Sequence, residues 1–241
     1  MALGVVLLGA ALAAADRLDD LLRERGVLAR RAVLGDHLAV AADEVPARRE
    51  LLLLGLGPRE ESRAANITAL EPPPELLASF AGAPAGEPPL LLLAFVNPAG
   101  TGDHNSPQHR RAEIPAINGH GSARALARVY GALAHGGELD GVRVLSAAGI
   151  ERAREVETHE PDALFGVPLR LGLGFWLSQP GVRGFAFGPN EGAFGHPGAG
   201  GSLGFADPAA RLGFGYVTNR MGQALEVDPR AQALIDALYA C

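Results

Sequence analysis

The stretch Phe194-Gly-His-Pro-Gly-Ala-Gly-Gly-Ser-Leu-Gly-Phe-Ala-Asp-Pro208 decides the fold. Its second half predicts a strand over Ser202–Ala206. Asp207-Pro208, with the alanines behind it, predicts a turn, and Leu212–Asn219 predicts the returning strand. Upstream, Leu169–Leu177 reads Leu-Arg-Leu-Gly-Leu-Gly-Phe-Trp-Leu. Leucine, glycine and aromatic residues alternate there, which predicts one strand with close neighbours. The chain therefore carries an antiparallel group of strands in its last third.

Helices flank these strands. Ser122 is placed to cap a helix that carries Leu126, Val129, Tyr130 and Leu133 on one face and stops at Gly136-Gly137. A second helix is predicted from Ser146, its cap, to Thr158, and a third closes the chain over Asp228–Tyr239. Two helices, antiparallel strands and a closing helix make an α+β layout.

The N-terminal part reads differently. Residues 2–35 have the apolar density of a helix, with charges at Arg17, Asp19, Asp20, Arg23, Glu24 and Arg25. Residues 36–66 are mixed. Glu71-Pro72-Pro73-Pro74, followed by Gly82, Pro84, Gly86, Pro88 and Pro89, predicts a linker or long surface loop, because proline removes a donor and fixes φ. Leu90–Val96 is an apolar run, helix or strand, and residues 97–107 form a polar loop. The chain thus divides into an atypical helical region over 1–70, a Pro/Gly-rich linker or loop over 71–104, and a C-terminal unit over 105–241. Residues 2–15 are apolar but too short to span a bilayer, so no membrane span is expected. They resemble the apolar part and small-residue cleavage site of a secretory signal without its basic start. A cytoplasmic location is favoured, and secretion is the alternative if residues 1–15 act as a signal.

Composition excludes some functions. The net charge is −6 and charged residues are 20% of the chain, which leaves no basic face for nucleic acid. The only cysteine, Cys241, cannot pair within the chain. All 21 basic residues are arginine, so no lysine can serve as a general base.

A second segment, Arg111-Ala-Glu-Ile-Pro-Ala-Ile-Asn-Gly-His-Gly-Ser-Ala-Arg-Ala-Leu-Ala-Arg-Val-Tyr130, precedes the first. Leu212-Gly-Phe-Gly-Tyr-Val-Thr-Asn-Arg-Met221 follows it. In this order, with a Gly-Phe-Trp strand between, these segments resemble the β-lactamase-related serine hydrolases: class C β-lactamases, penicillin-binding-protein relatives and their esterase branch. The resemblance covers about residues 105–240, with a weaker trace through Glu60–Pro74. It implies a β-lactamase/transpeptidase-like fold, an antiparallel sheet with flanking helices, whose N-terminal part is missing or replaced. It implies a small-molecule ester or amide as ligand, and no cofactor or metal.

In that family a serine and a lysine one helical turn apart are nucleophile and base, a tyrosine motif assists proton transfer, and Lys-Thr-Gly or His-x-Gly lies on a strand beside the nucleophile. His196-Pro197-Gly198 stands where the third motif belongs. The resemblance thus makes His196, Pro197, Gly198, Gly200, Gly201 and Ser202 the substrate-cleft or oxyanion strand. Backbone N–H groups there can face an oxyanion, and glycine lets a substrate approach. The other two motifs are absent. None of Ser62, Ser79, Ser106, Ser122, Ser146, Ser178 and Ser202 is followed three residues on by lysine or arginine. Tyr130, Tyr216 and Tyr239 lack the partner residue two positions on.

Other patterns are weaker. Gly200-Gly201-Ser202-Leu203-Gly204 fits the Gly-x-Ser-x-Gly elbow, but Phe205-Ala206-Asp207-Pro208 cannot begin the helix it requires, and no histidine lies beyond His196. His104 and His109 near Asp103 lack a third closely spaced ligand and read as a solvated loop. His120 reads as a helix-entry residue bonding locally, and Phe175-Trp176 as core, with a tryptophan at a strand end able to floor a cleft as the alternative. Three functional readings follow: a catalytically incomplete hydrolase, which is favoured; an esterase using an unrecognised base such as His196; and a binding module that keeps the cleft. Loss of the family's N-terminal helices would bare an apolar sheet face, through which self-association is possible.

Overall fold

In the computed structural model the described residues are 104–240 except 113, 115 and 116, together with 29–30, 39–40, 52–54, 56, 61 and 64–68. The readings of residues 2–28 and 71–96, and of Cys241, lie outside them. Strands β1 (Ala29–Arg30), β2 (Ala39–Val40) and β3 (Leu52–Leu54) line up in that order. Ala29–Arg30 is therefore strand inside the stretch that reads as helix. It pairs antiparallel with β2, so its backbone bonds go across rather than along the chain.

Helix α1 (Pro107–Arg111) follows. Ser106 caps it, accepting from the His109 N–H, and Pro107 opens it, where a missing N–H costs nothing. Strand β4 (Gly119–Gly121) pairs with β3. Helix α2 (Ala123–Ala134) begins at Ser122, whose Oγ accepts from the Ala125 N–H at 3.1 Å. It ends at Gly136 and Gly137 with φ +77° and +91°, as the sequence predicts. Strands β5 (Glu138–Leu139) and β6 (Val142–Arg143) form a hairpin. Its tip, Asp140-Gly141, has positive φ at both residues, the twist that a two-residue loop needs.

Helix α3 (Ala147–Arg154) starts on its Ser146 cap but stops short of the predicted Thr158. The carbonyl of Ala153 accepts from Leu173 instead of Glu157, and Glu157 donates to Leu171, so the helical ladder is traded for a strand contact. Six strands follow: β7 (Thr158–Pro161), β8 (Pro168–Leu171), β9 (Trp176–Leu177), β10 (Phe194–Pro197), β11 (Leu203–Asp207) and β12 (Leu212–Tyr216). They form an antiparallel sheet in the order β12-β11-β10-β9-β8-β7. The predicted single strand Leu169–Leu177 is two strands, because the chain reverses at Gly172–Phe175, where Gly174 has φ +77°. The closing helix α4 (Pro229–Tyr239) is capped by Asp228.

Both faces of β10–β12 are covered. Gly213 and Gly215 alternate on β12, and a Cβ at either would collide with the α2 main chain. The missing side chains let α2 sit close, and Leu126, Tyr130 and Leu133 pack with Phe175, Leu177, Phe194 and Ala206. On the other face, Ala231 and Ile235 of α4 pack with Phe187, Leu203, Phe205 and Val227. Phe205 is stacked between Phe187 and Phe214, at centroid distances of 5.7 and 5.0 Å. Among the described residues, α2 and α4 thus pack on opposite faces of β10–β12. No helix among the described residues is long and apolar enough to cross a membrane.

Candidate functional site

The sheet brings His196 to the end of β10. Strand β11 flanks β10 over its whole length, through the pairs His196↔Gly204 and Pro197↔Leu203. Strand β9 flanks it only at Phe194 and Gly195. From His196 onward, β10 therefore runs past its neighbour.

The imidazole is largely buried. Its Nδ1 lies 2.6 Å from the Pro197 carbonyl. A carbonyl can only accept, so Nδ1 carries the proton and Nε2 the lone pair. Burial pushes the ring below the ordinary histidine value, and the Pro197 contact partly opposes this. Near neutral pH His196 is thus an uncharged acceptor. In that tautomer Nε2 accepts and does not donate. No serine is among its hydrogen-bond partners in the described residues.

Beside His196 stands an aromatic group. The Trp176 ring lies 5.5 Å from the imidazole and stacks on Phe185 at 5.6 Å. Phe165 meets both edge-on, at 5.3 and 5.8 Å. Phe175 is core, as expected, packed against Phe194 at 4.9 Å. Trp176 is half-buried and packs against the core cluster of Phe187, Leu203 and Phe205 while also standing beside His196.

The glycine run after Pro197 is a tight turn. The Gly198 N–H donates to the Ser202 carbonyl at 2.6 Å, Gly201 to Gly198 at 2.8 Å, and Gly200 to Ala224 at 3.4 Å. Gly200 and Gly201 have φ of +93° and +110°, which only glycine adopts without strain. The candidate oxyanion strand therefore offers fewer donors than the sequence suggests. Pro197 has no N–H, and those of Gly198, Gly200 and Gly201 are engaged. The N–H of Ala199 has no acceptor among the described residues. Sequence reasoning passed over Ala199 because it is the one residue of Gly198–Gly201 that is not glycine.

Ser202 is buried, at 3% exposure, and β11 follows it directly. The elbow motif requires a helix there, so Gly200–Gly204 is a strand entry. His104 and His109 are not a solvated loop. Their Nδ1 and Nε2 atoms lie 3.2 Å apart, and His109 is buried. No cluster of three metal-binding side chains occurs among the described residues. His120 bonds locally, as expected, to the Asn118 carbonyl at 3.0 Å. Burial lowers its affinity for a proton, and the buried Nε2 atom has no partner among the described residues.

Comparison with known proteins agrees with this geometry. The beta-lactamase family model matches residues 2–238, reaching further toward the N-terminus than the motifs at 105–240. The esterase/beta-lactamase LipL of Mycobacterium tuberculosis (strain ATCC 25618 / H37Rv) is 45% identical over 113 residues, which are 46% of this chain and 24% of that protein. Among solved structures, a family VIII carboxylesterase is 37% identical with a TM-score of 0.59, covering 79% of this chain and 47% of its own. A penicillin-binding protein homologue from Caulobacter crescentus is 38% identical with a TM-score of 0.61, covering 78% and 48%. EstA from Arthrobacter nitroguajacolicus Rue61a is 31% identical, also at 0.61, covering 78% and 49%. The chain spans about half the length of these solved proteins and about a quarter of LipL. The antiparallel sheet, its helices and the extent of the family match establish that the chain belongs to the beta-lactamase family.

Proposed function

We propose that this chain builds the His-x-Gly wall of a cleft for a small ester or amide, and that it does not complete hydrolysis by itself. The observation that carries the reading is the Ala199 N–H, without an acceptor among the described residues, in the turn directly after His196-Pro197-Gly198. An N–H at a strand end is suited to receive a carbonyl oxygen or the oxyanion that develops from it. Flanking groups support this. Trp176 supplies an apolar side, and Gly198 and Gly200 let a ligand approach the main chain. The chemistry stops there because the 241 residues contain no lysine, and a serine needs a base to become a nucleophile.

The test pairs binding with labelling. Wild-type protein titrated with a p-nitrophenyl ester is expected to show saturable perturbation of the Ala199 amide resonance, with no release of p-nitrophenol. A fluorophosphonate is expected to label no serine. Labelling at any serine would sink the claim of incomplete chemistry, and an unperturbed Ala199 would sink the cleft.

One observation favours a second reading. The lone pair on the Nε2 of His196 is that of a general base held neutral by burial. An esterase relying on it would release p-nitrophenol and lose all turnover in His196→Ala. Turnover surviving that substitution would reject the assignment.

A further inference from the structure

The turn that presents Ala199 is held from outside the sheet. Arg230, in the first turn of α4, directs Nη2 at the Gly200 carbonyl at 3.0 Å and Nη1 at the Arg220 carbonyl at 3.0 Å. Its Nε and Nη2 also donate to the two oxygens of Asp228, each at 2.8 Å. Asp228 is 4% exposed and caps α4, accepting from the Arg230 N–H as well. The carboxylate fixes the guanidinium, and the guanidinium fixes the turn.

The surroundings are shaped for this pair. A Cβ on Gly201 would lie 2.7 Å from both the Arg230 Nη2 and the Asp228 Oδ2. A Cβ on Gly222 would strike the same two groups. The Gly200 carbonyl takes a second donor, the Gly222 N–H, at 2.7 Å. Met221 packs over Gly200, and its N–H donates to the carbonyl of Thr68, whose own N–H donates to Asn219. With Gly200 anchored through its carbonyl, the peptide before it has little freedom to turn. That peptide carries the Ala199 carbonyl, and the Ala199 N–H lies one residue back.

We infer that Asp228 and Arg230 are positioning residues: a clamp on the Gly200 carbonyl that fixes the 198–202 turn and so aims the Ala199 N–H into the cleft. The inference rests on the cleft reading above for its functional consequence, and on the hydrogen bonds alone for its structural content. A bidentate arginine is suited to the task because its planar fork meets two acceptors at fixed angles, which a lysine cannot reproduce.

The test separates the two levels. Amide hydrogen exchange is measured across the full chain for wild type, Arg230→Gln, Arg230→Lys and Gly222→Ala. The last presses a methyl group into the clamp from the opposite side and leaves Arg230 in place, so it serves if Arg230→Gln does not fold. The amides of Gly198 and Gly201, which close the turn, are expected to exchange about tenfold faster or more in Arg230→Gln and Gly222→Ala. That factor is what loss of a charge-assisted hydrogen bond allows. Arg230→Lys should restore only part of the protection, and the paired amides of β11 and β12 should not change. Turn amides that keep wild-type protection, or that accelerate only in step with β11, would overturn the clamp. In parallel, the ester probe is titrated against each variant. A weakened Kd with an unmoved melting temperature supports the aiming role, and an unchanged Kd with an opened turn rejects it. If the wild type does not bind the probe at all, the cleft reading fails, and the clamp is judged on exchange alone.

Discussion

The indole of Trp176 and the imidazole of His196 stand 5.5 Å apart with their planes tilted by 52°. Trp176 is the only tryptophan in the chain, so its emission reports on this one histidine neighbourhood. His196 is pushed below the ordinary histidine value by burial. As pH falls, the unfolded chain takes up a proton near about 6.5, before the folded protein does. Stability from the neutral ring is therefore complete above that pH and declines as pH drops toward the lowered folded value. Trp176 emission should show a step centred below about pH 6.5, missing in His196→Gln. A step at or above that pH, or one that persists in the variant, would contradict the assignment.

Gly213 and Gly215 predict a steric outcome. A methyl group at Gly215 meets the Ala123 carbonyl and the Ala127 N–H, which are main-chain atoms that cannot rotate away. Gly215→Ala should cost about 1–3 kcal/mol in denaturant unfolding, as overpacking does. Gly192→Ala, where the nearest atom is the Arg154 Nη2 at 3.4 Å, is the control and should be close to neutral. Equal effects at both positions would show that α2 yields at little cost.

The elements that proved legible had local signals. Ser122 and Ser146 announce their helices because a hydroxyl before an apolar run satisfies a helix's first N–H groups, and both do so here. Asp207-Pro208 announces its turn for a similar reason, since the Asp207 Oδ1 accepts from the Ala209 and Ala210 N–H groups. The errors fall where distant partners decide. Helix α3 ends at Arg154 because Leu173 takes the Ala153 carbonyl, a contact invisible in the sequence of the helix. At the site, His196 was legible as a motif, but the direction of its proton depends on where Pro197 places its carbonyl. Ala199 and Arg230 were not legible. One stands out only by an N–H left over after its neighbours have paired among the described residues, and the other by a hydrogen bond to a carbonyl thirty residues away.

Phe205 predicts the strength of the α4 face. Its ring is fully buried between two stacked aromatics in the cluster that includes Leu203 and Ile235. Phe205→Ala should therefore destabilise by about 3–5 kcal/mol. Chemical denaturation with the slope m unchanged would confirm it, and a loss under about 1 kcal/mol would mean the core collapses around the gap.

Tyr130 predicts the opposite sign. It is the tyrosine nearest the helix-entry motif, yet its ring is buried in the α2 core, and its hydroxyl has no partner among the described residues. Burial raises its pKa, so the group stays neutral throughout the ordinary pH range and cannot relay a proton there. A buried hydroxyl without a partner carries a desolvation cost of about 1–3 kcal/mol. Tyr130→Phe removes the oxygen and keeps the ring, so it should leave the stability unchanged or raise it by up to about that amount. Ester binding should be unaffected, because Tyr130 is fully buried in the core cluster with Leu126, Leu133 and Phe194. A drop in melting temperature would show that the hydroxyl holds a bound water, and a change in ester affinity would place Tyr130 in the site.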